Sequence, residues 1–219
     1  MATTDPSEET NASSSGTRRT GSSRLESFSD GVFAIAITLL ILNFHIPSGL
    51  SGDQVWQAIA DQKDVFLSAA ISFAVIGVYW SVHRRTFARI TGESSALTAV
   101  NFLNLATIVF LPFPTLVMSE YTSSFAAVGM YAATIALAGF TAAATILVAW
   151  HGGLMDSSTT QDIVDESVSE TIATPIIFAI SIPVAAFSPR AATWFWIIAF
   201  FASRPIGALT HRLLQRRHR

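Results

Sequence analysis

Of 219 residues, 51% are hydrophobic and only 13% carry charge, with a formal net charge of −2; ordinary soluble domains carry about 25% charged residues. This excludes a conventional water-soluble domain, because half a dozen apolar runs cannot be hidden inside one domain of this length. With no cysteine in the chain, disulfides, thiolate metal sites and cysteine nucleophiles are excluded together.

The chain therefore reads as an all-α membrane protein. Residues 1–23, MATTDPSEETNASSSGTRRTGSS, are rich in Ser, Thr and Gly and hold no apolar run. They predict a disordered cytoplasmic tail and not a signal peptide, since no small-residue cleavage site follows the first apolar stretch.

Six apolar runs follow, to be measured against roughly 30 Å of hydrocarbon crossed at about 1.5 Å per residue. They are Gly31 to Ile46, Val65 to Val82, Ala96 to Met118, Phe125 to Trp150, Ile172 to Phe187, and Ala191 to about Ala208. Residues 24–219 thus form a six-helix transmembrane domain. The first and fifth runs are short for a full crossing. Between the first two, SGDQVWQAIADQKD sets Val55, Trp56, Ile59 and Ala60 at helical spacing, which predicts a short interfacial helix.

Excess Lys and Arg stay on the cytoplasmic side. With the N terminus inside, eleven basic residues fall in cytoplasmic segments, among them Arg18, Arg19, Arg24, Arg84, Arg85 and Arg89, and only Lys63 and Arg190 fall outside. Both termini are therefore expected to be cytoplasmic. The segment Asp156 to Glu170 runs against this with five acids and no base, but acids weigh little in the rule.

The spans contain no acid pair, no HExxH, no Ser-His-Asp set and no Gly-rich phosphate loop. An enzyme is not expected, and the paired broken helices of a coupled transporter are missing too. No cofactor, resident metal, nucleic-acid partner or small-molecule substrate is expected.

The stretch RLESFSDGVFAIAITLLIL, Arg24 to Leu42, carries most of the remaining information. At about 100° per residue, Gly31, Ile35, Thr38, Leu39, Leu42 and His45 share one stripe. The bulky Phe33, Ile37, Leu40, Ile41 and Phe44 lie largely off it, and Ser29 and Asp30 point toward other helices. Thr38 has two readings: a hydroxyl bonded back to the Ala34 carbonyl, or one presented along the stripe. An acid at the membrane boundary is expensive alone, so Asp30 is expected to have a partner, either Arg24 or His83.

This stretch strongly resembles the first-helix signature of the transmembrane protein 175 family of potassium channels: an Arg, three residues, then Phe-Ser-Asp, here Arg24 with Phe28, Ser29 and Asp30. YWSVHRRTFARI, with Trp80, His83 and Phe87, resembles the family's second-helix end, and NFLNLATIVFLPFPT resembles its third helix. In sequence detail the resemblance runs from Arg24 to Thr115; beyond it the match is one of hydropathy.

The resemblance implies six transmembrane helices per subunit, with the first helix lining a central pore in a homotetramer of the plasma membrane. No Thr-Val-Gly-Tyr-Gly filter is present. Pore-lining positions carry over as hydrophobic rings at Ile35, Leu39 and Leu42 with a hydroxyl layer at Thr38. Arg24, Phe28, Ser29, Asp30, Trp80 and His83 carry over as a structural network. The implied function is a leak channel with modest selectivity for potassium over sodium, whose only ligands are permeant potassium ions and membrane lipid. Two alternatives stay open: a proton path through the same neck, for which His45 is the one titratable group on the stripe, and a membrane assembly protein that does not conduct.

Overall fold

The computed structural model describes residues 6–196, with side chains from residue 23 onward. Its helices are α1 (Pro6–Leu39), α2 (Gly52–Asp61), α3 (Lys63–Phe87), α4 (Ser95–Phe110), α5 (Pro112–Glu120), α6 (Phe125–His151) and α7 (Gln161–Phe187). A 3-10 turn, Leu40–Asn43, closes α1. Among the described residues five stretches are long and apolar enough to cross a membrane: Ser23–Asn43, Lys63–Phe87, Ser95–Glu120, Phe125–His151 and Gln161–Phe187. Of the sixth expected run, residues 191–196 are helical and the remainder lies outside the described residues.

Two runs that look short in sequence are full-length helices. The first candidate span begins at Ser23 rather than Gly31, because its polar head is satisfied within the fold: the Ser29 hydroxyl donates to the Leu25 carbonyl at 2.8 Å. The helical backbone of α1 itself starts at Pro6, inside the stretch whose composition suggests a tail. Proline at the first helical position, with Glu8 and Glu9 in the first turn, favours a start there. The fifth span likewise gains a polar head from Gln161 onward, where Gln161 Nε2 donates to Asp165 Oδ1 at 2.8 Å one turn later.

The third run is broken. Pro112 and Pro114 lack the N–H groups that would continue the ladder of α4, so the chain turns at Leu111 and restarts as α5 with Pro112 in its first turn. The predicted interfacial helix is α2, which buries none of its residues. The Ser51 backbone N–H donates to Gln54 Oε1 at 2.8 Å at its start.

The core lies where α1, α3 and α4 meet α6, around Phe33, Ile76, Leu105, Tyr131 and Ile135. α6 packs most closely on α7 where Gly139 faces the Pro175 ring: a Cβ at Gly139 would sit 2.6 Å from Pro175 Cγ. Only glycine permits that approach. At one end of the bundle, the connection after α3 is laced to the one after α6. Thr91 N–H donates to the Leu154 carbonyl and Asp156 N–H to the Arg89 carbonyl, each at 2.8 Å, and Ile90 bridges to Met155.

Candidate pore-lining face and its supporting network

α1 has two unlike faces. Phe33 is 1% exposed and Leu40 4%, whereas Ile35 is 58% and Leu42 73% exposed. Thr38, Gly31 and His45 are also exposed, and Leu39 is half-buried. The four expected pore-lining residues thus lie along a side of α1 that its own chain leaves largely uncovered. Ile41, expected off the stripe, is 66% exposed. The 3-10 turn from Leu40 to Asn43 advances about 120° per residue instead of about 100°, which rotates Ile41 toward the open side.

The Thr38 hydroxyl donates to the Ile35 carbonyl at 2.8 Å, not to Ala34. Its proton is therefore committed to the backbone while the side chain stays on the exposed face. The oxygen's lone pairs remain able to accept.

Behind this face a polar relay ties three helices together. Asn101 on α4 is fully buried; its Nδ2 donates to Ser29 Oγ of α1 at 3.0 Å. Its Oδ1 lies 2.9 Å from His83 Nε2 of α3. Because the Ser29 proton goes to Leu25, the Asn101 amide must donate toward Ser29 and accept from His83, which places the imidazole proton on Nε2. His83 stacks on Phe87 with ring centroids 4.2 Å apart and meets Phe33 at 5.4 Å. Its Nδ1 is buried without a hydrogen-bond partner among the described residues.

Asp30 is partnered by neither Arg24 nor a direct bond to His83. The Trp80 indole Nε1 donates to Asp30 Oδ1 at 2.8 Å, and the Arg84 guanidinium lies over the Trp80 ring, 5.4 Å from its centroid. A neutral donor thus satisfies the carboxylate, and the nearby cation stabilises the electron-rich ring. Phe28 packs on Phe102 of α4 at 5.4 Å. The structure brings together Phe28, Ser29, Asp30, Trp80 and His83. Arg24 is exposed and stands outside the network among the described residues.

Sequence reasoning missed Asn101 as the hub and Arg84 as the cation. The signal for Asn101 was present in NFLNLATIVF, since an amide inside an apolar span nearly always bonds across helices. Chemically the exposed face offers apolar side chains and the Thr38 hydroxyl, and among the described residues no group of three or more His, Asp or Glu is disposed to hold a metal.

A family model described as "Endosomal/lysosomal potassium channel TMEM175" matches residues 24–112. A protein named a potassium channel from Streptomyces collinus is 40% identical over 100 residues, 46% of this chain and 48% of that one. A chicken (Gallus gallus) protein named an endosomal/lysosomal proton channel TMEM175 is 33% identical over 106 residues, 45% of this chain and 21% of that one. The matched sequence spans about half the length of the bacterial relative. The likeness of fold extends further: the crystal structure of a lysosomal potassium-selective channel TMEM175 homolog from Chamaesiphon minutus superposes with a TM-score of 0.70 at 25% identity, covering 83% of this chain and 96% of that one. These neighbours are ion channels, not enzymes. The first-helix signature, the family match over residues 24–112 and the shared helical fold all agree in making the chain similar to TMEM175 channels.

Proposed function

We propose that the protein is a potassium-selective leak channel of the plasma membrane, formed by four copies around a central axis and lined by α1. The observation that carries this reading is the uncovered face of α1, where Ile35 and Leu42 stay 58% and 73% exposed while the opposite side is packed into the bundle. A single lining helix encloses nothing, so closure requires cyclic symmetry. Ile35 then forms the tightest ring, with Leu39 and Leu42 beyond it.

A hydrophobic ring gives an ion no ligand, so passage demands partial dehydration, and dewetting of the same ring closes the path. Potassium sheds water more readily than sodium, which yields modest selectivity without a carbonyl filter. Thr38 adds to it: with its proton held by the Ile35 carbonyl, its oxygen presents lone pairs to a cation and no competing proton. Behind the pore, Ser29, Asp30, Trp80 and His83 hold α1 in register. The distribution of basic residues supports cytoplasmic termini.

Reversal potentials of purified protein in liposomes, measured in opposed potassium and sodium gradients, test this reading. The expected result is a shift toward the potassium equilibrium potential, with Ile35→Ala raising current and admitting sodium. Absence of current, or Ile35→Ala leaving both quantities unchanged, would remove the neck from the mechanism. A second reading, proton conduction through the same face, draws support from the animal relatives named proton channels. It predicts a reversal potential that follows an imposed pH gradient.

A further inference from the structure

A cavity of about 260 Å³ lies between α3, α6 and α7, away from the exposed face of α1. One water needs roughly 10–15 Å³, so this space admits a much larger group. Its walls come from the end of α3 with the turn that follows, from Ile146 of α6 and from one face of α7. α3 contributes Val82, Arg85 and Thr86, and the turn after it Arg89; α7 contributes Ile163, Glu166, Ser167, Glu170 and Thr171.

The charges are arranged unusually. Arg85 from α3, Arg89 from the turn after it and two glutamates from α7 line the cavity, yet no ion pair joins them among the described residues. Arg89 instead donates from Nη1 to the neutral Ser167 hydroxyl at 3.1 Å. The Ile90–Met155 bridge adjoins Arg89 and laces the bundle end. The cavity also sits at the limit of a candidate span, since α3 ends at Phe87, with Val82, Ile146 and Ile163 forming its apolar part.

We infer that this cavity is a binding site for the headgroup of a zwitterionic phospholipid bearing a primary ammonium, of the phosphatidylethanolamine class. The phosphate would be held by Arg85 and Arg89, a geometry guanidinium groups favour. The ammonium would reach Glu166 and Glu170, and the first acyl carbons would follow Val82 and Ile146 into the bilayer. Basic pockets at this depth commonly take anionic lipids. Here the two carboxylates oppose an anionic headgroup and give an ammonium its partners.

Co-purified lipid quantified by mass spectrometry, after reconstitution into bilayers with equal amounts of phosphatidylethanolamine and phosphatidylglycerol, tests the site. The wild-type protein should retain the ethanolamine lipid in roughly two- to fivefold excess, the ratio expected of partly exposed charge contacts. Glu166→Gln with Glu170→Gln should shift retention toward phosphatidylglycerol, Arg85→Gln should lower retention of both lipids, and Glu166→Asp should keep the wild-type ratio. A wild-type ratio equal to that of the bilayer overturns the inference whatever the variants do. So does an excess that survives loss of both glutamates. Displacement of the retained lipid by an equal concentration of free O-phosphoethanolamine would assign the cavity to a soluble anion and overturn the lipid assignment.

Discussion

Thr38 shows how a local bond reshapes a functional argument. Back-bonding to the backbone and service to a passing cation look like rivals on a helical projection, but the hydroxyl donates to Ile35 while its side chain stays exposed. Thr38→Val keeps the shape and deletes the oxygen, so conduction should persist while the preference for potassium over sodium falls by roughly two- to tenfold, the scale of one hydrogen-bond-like contact. Thr38→Ser should restore it. Reversal potentials in liposomes read both variants, and an unchanged value for Thr38→Val would remove the residue from ion discrimination. The stripe itself was legible in the sequence because α-helical period governs it through Leu39. The bonding partners were not: whether Asp30 meets Arg24, His83 or Trp80 depends on how α1 lies against α3, which no local pattern encodes.

Between elements, stability rests on a few polar atoms and one glycine. Asn101→Leu strips the acceptor from His83 Nε2 and the donor from Ser29, leaving buried polar atoms unpaired at about 1–3 kcal/mol each. Differential scanning fluorimetry should show a clear fall in thermal midpoint. Asp30→Ala should do the same by orphaning the Trp80 indole, whereas Asp30→Asn keeps an acceptor and should stay close to wild type; equal losses for the two would mean that charge, not the hydrogen bond to Trp80, is what matters. Gly139→Ala forces a methyl into the Pro175 ring, an overpacking worth about 1–3 kcal/mol. That contact joins residues in different spans and was invisible in sequence, although Gly and Pro were each visible as punctuation. Element boundaries follow the same division. Hydropathy found the apolar centres of the spans, but not the polar heads that begin at Ser23 and Gln161, where Ser29 and Gln161 bond one turn away within their own helices, because hydropathy does not register that. The break at Leu111 was written in Pro112 and Pro114, two missing donors in one turn.

At the scale of the molecule, the five candidate spans among the described residues, if each crosses once, impose an alternation that the charge distribution then orients. The link Leu40 to Gln62 and the link Tyr121 to Ser124 must share one side, and the links after α3 and after α6, which are laced together by Thr91 and Leu154, must share the other. That lacing puts Arg84, Arg85 and Arg89 on the same side as the segment around Asp156, and the positive-inside rule, which the acidic segment itself does not support, orients that side through the arginines. Because the chain has no cysteine, single cysteines report sidedness without background. Ser48, Ser123 and Ser157 are all exposed and none shapes the core. In intact cells an impermeant maleimide should label cysteines at Ser48 and Ser123 and leave one at Ser157 unlabelled until the membrane is permeabilised. Labelling of Ser157 alone would invert the protein and place its eleven cytoplasmic basic residues outside; labelling of Ser48 and Ser157 together would break the alternation, and with it the assignment of α4 and α5 to a single crossing.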